Sequence, residues 1–105
     1  MKKTIDSFLA MIQQERFYDA HEVLEALWFP RRFDESDEVR LLKGLINAAV
    51  SFELKKRGRI KQSKKVWGNY LKYRKLLYKI ESPHFNEYHR AIYAIDKRYR
   101  EEWMM

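Results

Sequence analysis

Apolar residues recur along this chain at intervals of three and four, and five such stretches are separated by short polar, Pro-bearing or Gly-bearing segments. The first helix is predicted from about Thr4 to Arg16, with Ile5, Phe8, Leu9 and Ile12 on one face. The second opens near Asp19, a good N-cap residue, and stops at Phe29, because Pro30 disfavours helix in the residue before it. Arg31 to Asp34 then turn the chain. Ser36, Asp37 and Glu38 open the longest helix, which Gly58 closes after Lys55, Lys56 and Arg57. Its apolar arc, from Val39 to Phe52, exceeds half the circumference, so this helix must be covered on several sides. The fourth helix is predicted from Arg59 to Ile80. One arc carries Ile60, Val66, Trp67, Tyr70, Leu71, Leu77 and Tyr78; the other carries Lys61, Lys64, Lys65, Lys72, Lys75 and Lys79. Ser82 and Pro83 start the fifth, which turns Phe85, Tyr88, Ile92, Ile95 and Tyr99 inward, with Trp103 continuing the stripe. The predicted fold is all-α: one domain over residues 1–105, a multihelical bundle of about five helices around a central helix at residues 36–57.

Three charges interrupt this pattern. On a helical wheel Glu53 falls between Leu42 and Ile46, Lys43 falls beside Val50, and Arg74 falls between Tyr70 and Trp67. A carboxylate or guanidinium on a core face must be paired. The simplest expectation is that Arg74 meets Glu53, Glu25 or Glu22, with His21 close by.

The densest chemistry lies in residues 20–28, AHEVLEALW. Spacing of four sets His21 beside Glu25, with Trp28 next to His21, while Glu22 points further round. Such a pair can share a metal, or the carboxylate can orient the imidazole. It can equally be a hydrogen-bonded pair at the core rim. HEVLE is also an incomplete version of the H-E-x-x-H zinc pattern, since Glu25 stands where the second His belongs. In a catalytic version His21 is the acid or base, Glu25 its orienting partner and Arg74 an anion clamp.

Composition narrows these options. The chain has no Cys, so a disulfide scaffold and thiolate metal sites are excluded, and any metal must use His and carboxylate. No apolar run is long enough to span a membrane, and the N-terminus lacks the pattern of a signal peptide, so a cytoplasmic protein is expected. The net charge of +7 is unevenly spread. Residues 55–80 hold 11 basic and no acidic residues, while the segments on either side sum to slightly negative values. A stripe of this density can neutralise several phosphates.

At AHEVLEALW, followed by the run KGLINAAVSFELKKRG, the chain resembles the domain-of-unknown-function family numbered 309. The residues that carry the resemblance are Phe17, Tyr18, His21, Glu22, Leu24, Glu25 and Trp28, then Gly44, Leu45, Ile46, Ala49 and Gly58. The resemblance implies a small helical bundle and brings no established activity. The family pattern often has Gln before the Gly-Leu-Ile triplet and His near the end of the long helix. This chain has Lys43 there, and the pair Glu53 and Leu54.

The functional expectation is a structural or partner-binding module carrying a polar pocket for a small ligand or metal, built from His21, Glu22, Glu25, Trp28, Lys43, Glu53 and Arg74. No cofactor is predicted; a divalent metal at His21 and Glu25 is the one exception that the spacing permits. The alternative is weak nucleic-acid or polyanion binding through Lys61, Lys64, Lys65, Lys72, Lys75 and Lys79. The large aromatic content is compatible with a homodimer, and no membrane partner is expected.

Overall fold

The computed structural model describes residues 1–103, so the last two residues of the expected 1–105 domain lie outside it. Five α-helices follow one another: α1 (Lys2–Gln13), α2 (Phe17–Trp28), α3 (Asp37–Lys56), α4 (Ile60–Arg74) and α5 (Phe85–Trp103). Short 3-10 turns extend α2 over Phe29–Arg31 and α4 over Lys75–Tyr78, and there is no strand among the described residues.

The central element is α3, as its wide apolar arc requires. Ser36 caps it, its Oγ accepting from the Val39 amide at 3.3 Å, and Asp37 and Glu38 at the start balance Lys55 and Lys56 at the end. Gly58 follows with φ of +80°, the left-handed geometry that ends a helix cheaply only for glycine. Leu41, Leu45, Ala48 and Ala49 are fully buried, and side chains from all five helices join them in one core.

Small residues let α4 approach α3 closely. A Cβ on Gly44 would lie 2.7 Å from the Tyr73 Cβ. Two turns further on, buried Ser51 and Ser63 exchange hydrogen bonds, each Oγ donating to the other's carbonyl oxygen at 2.8 Å. Beyond them Phe52, Trp67 and Tyr99 continue the core, with Trp67 and Tyr99 stacked at 4.0 Å between ring centroids.

The boundaries differ from the sequence reading in four helices; α5, expected to open at Pro83, begins at Phe85, after a turn in which the Ser82 Oγ accepts from the His84 amide at 3.0 Å. Helix α1 stops at Gln13, where Glu15 turns the chain with φ of 59°. Helix α2 begins at Phe17 rather than Asp19; Asp19 lies in its first turn and pairs with Arg16 at 3.0 Å. Helix α4 does not run regularly to Ile80, because after Arg74 it tightens into 3-10 geometry. Each residue there turns by about 120° instead of about 100°. The predicted apolar arc therefore breaks: Trp67, Tyr70 and Leu77 are buried, whereas Tyr78 is 85% exposed. Leu71 and Ile60, on the edges of that arc, are about two-fifths exposed.

Candidate functional site

The seven expected pocket residues separate into distinct places. His21 and Glu53 line one groove of about 200 Å³ between α2 and α3. Phe17, Val50 and Leu54 make its apolar floor, and Tyr18, His21, Glu53 and Arg57 its polar rim. Glu53 pairs with Arg57 one turn later, at 2.9 Å, rather than with Arg74. His21 faces Glu25 through Nε2, as the spacing of four predicts, and faces the Tyr18 carbonyl through Nδ1 at 3.3 Å. Both ring nitrogens thus face oxygen acceptors, one from the Glu25 carboxylate and one from the backbone. Glu22 is exposed; hydrogen bonding to it and its negative charge push the Tyr18 phenol up.

Trp28 and Lys43 form a second place. The Lys43 ammonium sits 4.2 Å from the centre of the Trp28 ring, which explains how a lysine is accommodated on the apolar arc of α3. Trp28 does not line the groove with His21.

Arg74 is the third place, and its carboxylate is not one of those expected. Arg74 Nη2 donates to Asp96 Oδ2 at 2.6 Å, and Tyr70 donates its hydroxyl to Asp96 Oδ1 at 2.7 Å. Burial and the bond to Asp96 push the Tyr70 phenol far above its ordinary range. The expected cluster of Arg74 with Glu53, Glu25 or Glu22 is therefore absent. α4 presents Arg74 toward α5, while Glu53 faces the α2 side of α3. Asp96 carried a readable signal, since it stands four residues after Ile92 and three before Tyr99, inside the apolar stripe of α5. A similar tie, Tyr88 donating to Glu38 at 2.8 Å, joins α5 to the start of α3. Among the described residues no group of three or more His, Asp or Glu is arranged to hold a metal ion.

The basic stripe behaves differently from all of these. Lys61, Lys64, Lys65, Lys72, Lys75 and Lys79 are exposed, and none of them makes an ion pair among the described residues. Three of their basic neighbours do hold carboxylates: Lys55 lies 3.7 Å from Glu102, Arg57 pairs with Glu53, and Arg74 with Asp96. Gly68 lies in the middle of the lysine row, and a Cβ there would meet nothing within 4 Å. No helix of the described residues is long and apolar enough to cross a membrane.

A family model described as Domain of unknown function (DUF309) covers residues 5–66, from the first core residue of α1 into α4. No curated protein and no solved structure matches this chain.

Proposed function

This chain belongs to the DUF309 family, whose description assigns no activity, and from that premise we propose that the domain is a polyanion-binding module working through the exposed face of α4. The observation that carries this reading is the row of six exposed lysines with no carboxylate partner. Within the domain such a row is unfavourable. Lysines three and four residues apart repel by about 0.2–0.5 kcal/mol per pair, and α4 has no acidic residue in its first turn, where the helix dipole favours one. Gly68 adds a helix-interior glycine, which costs about 1 kcal/mol relative to alanine, without a packing reason. Each of these costs is offset when an anion lies along the face: phosphates neutralise the lysines, and bare backbone at Gly68 admits close approach.

Replacing Lys64, Lys65, Lys72 and Lys75 with Gln tests this. Retention on heparin and on RNA should fall, while the melting temperature holds or rises slightly, because the variant loses exposed lysines that have no carboxylate partner and repel one another. Undiminished retention by the folded variant counts against the proposal.

A second reading, small-molecule binding in the α2/α3 groove, is supported by the combination of an apolar floor with the rim of Tyr18, His21, Glu53 and Arg57. Its test is a fragment screen read by amide shifts of Val50 and Leu54, with His21→Ala and Arg57→Ala expected to abolish those shifts.

A further inference from the structure

Resting on the polyanion reading of the α4 face, we infer that its occupant is a single-stranded nucleic acid, whose phosphates follow the lysine row and whose bases stack on Tyr78 and Phe33 at its end. Lys61, Lys65 and Lys72 are spaced by four and seven residues, close to whole helical turns, so they form a ridge along α4 that Lys75 extends at the start of the 3-10 turn. From Lys61 to Lys75 this ridge is about 20 Å long at the ordinary helical rise. At its far end the 3-10 turn swings Tyr78 into solvent, 85% exposed, and Phe33 is exposed to the same extent. Single exposed aromatics are common. These two, however, belong to the segments on either side of one groove, whose charged residues are Arg31, Asp34, Asp37, Glu38, Lys79 and Glu81; neither ring lines the groove itself.

The turn before α3 adds further planar surface. The Arg32 guanidinium lies 3.7 Å from the centre of Phe29 and 4.5 Å from that of Phe33, so the turn offers Phe, Arg and Phe as neighbouring flat groups. Cations in a row ending in exposed rings match a strand with a charged backbone and unpaired bases. A duplex hides its base faces and leaves these rings without partners. A flat anionic membrane would meet the exposed carboxylates of Glu35 and Glu81 together with the lysines, whereas a flexible strand passes between them. The other acids at this end are already engaged: Asp34 accepts from the Ser36 amide at 2.9 Å and lies 3.6 Å from Arg31, Asp37 lies 3.7 Å from Arg40, and Glu38 accepts from the Tyr88 hydroxyl at 2.8 Å.

The experiment is a fluorescence-anisotropy titration of the full chain with four probes. These are an unstructured single-stranded oligonucleotide, an abasic strand of equal length, the corresponding duplex, and vesicles containing phosphatidylserine. Tyr78→Ala and Phe33→Ala should each weaken binding of the base-bearing strand by about tenfold and leave the abasic strand unaffected. Tyr93→Ala, which removes an exposed ring on α5, should change neither. Wild-type protein should prefer the base-bearing strand to the duplex. Equal binding of base-bearing and abasic strands, with no effect of Tyr78→Ala or Phe33→Ala, overturns the stacking inference and leaves the polyanion reading standing. Failure of wild type to bind either strand overturns both. Tighter binding to the vesicles, lost in Tyr78→Ala, assigns the face to a membrane surface and overturns the inference.

Discussion

Glu53, Arg74 and Lys43 each hold a different kind of partner, an exposed guanidinium, a half-buried carboxylate and an indole ring, and the partner decides what each contributes to stability. The wheel set Glu53, Arg74 and Lys43 on core arcs, whereas their side chains are only partly buried, Arg74 being 39% exposed; a wheel describes one helix and does not say which neighbour each face meets. Arg74 found Asp96, Glu53 found Arg57, and Lys43 found the Trp28 ring. His21 and Glu25 are neighbours as their spacing predicts, because that pair lies within one helix and needs no tertiary knowledge. The observed partners change the expected energetics. Glu53→Ala should cost under about 1 kcal/mol, since its partner Arg57 is solvent-exposed. Asp96→Ala should cost about 1–3 kcal/mol, because it leaves Tyr70 and Arg74 without an acceptor. Urea unfolding of the two variants checks the order, and a larger loss for Glu53→Ala would contradict it. The phenols give a pH prediction. Those of Tyr70 and Tyr88 are both raised, by burial first and then by bonds to Asp96 and Glu38. A group with a raised folded pKa contributes stability that is present below its unfolded value, about 10 for tyrosine, and lost as pH rises beyond it. The melting temperature should therefore fall above about pH 10, and fall less steeply in the double variant Tyr70→Phe, Tyr88→Phe. Equal slopes would show that these hydroxyls are not the groups responsible.

Helices were the most legible level, since five periodic stretches, a Ser cap, a Gly stop and a Pro break each act locally. What escaped was the change of α4 into 3-10 geometry at Lys75. No Gly or Pro lies between Arg74 and Tyr78 to announce it, so the wheel assigned Tyr78 to the core. The two glycines inside helices give the sharpest test at this scale, because they predict opposite signs. Gly44→Ala places a Cβ against the Tyr73 Cβ, an atom that cannot move without shifting α4. It should destabilise the domain by about 1–3 kcal/mol. Gly68→Ala meets open space and should stabilise it by about 0.5–1 kcal/mol. Thermal unfolding of both variants measures this, and two changes of the same sign would contradict the packing of α3 against α4 described above.

At the scale of the whole molecule, the separation of charge was legible from sequence as a run of 11 basic residues without an acid. The sequence could not say which of them fold back onto carboxylates. Lys55, Arg57 and Arg74 do, and the lysines from Lys61 to Lys79 do not. That distinction turns a net charge of +7 into a directed surface, and it is why the α4 face, rather than the helix-two motif, carries the functional proposal. The α2/α3 groove is a separate feature, lined by none of the six lysines, and polyanion binding should be unaffected by His21→Ala. The most direct test of the central claim is the salt dependence of binding to a single-stranded oligonucleotide, compared between wild type and the variant with Gln at Lys64, Lys65, Lys72 and Lys75. Each phosphate that a lysine neutralises on a single strand adds about 0.7 to the slope of log affinity against log salt, so the variant's slope should be shallower by about 3 if all four lysines touch phosphate. Parallel slopes for the two proteins would mean that these lysines release no counterions on binding, and would contradict the account.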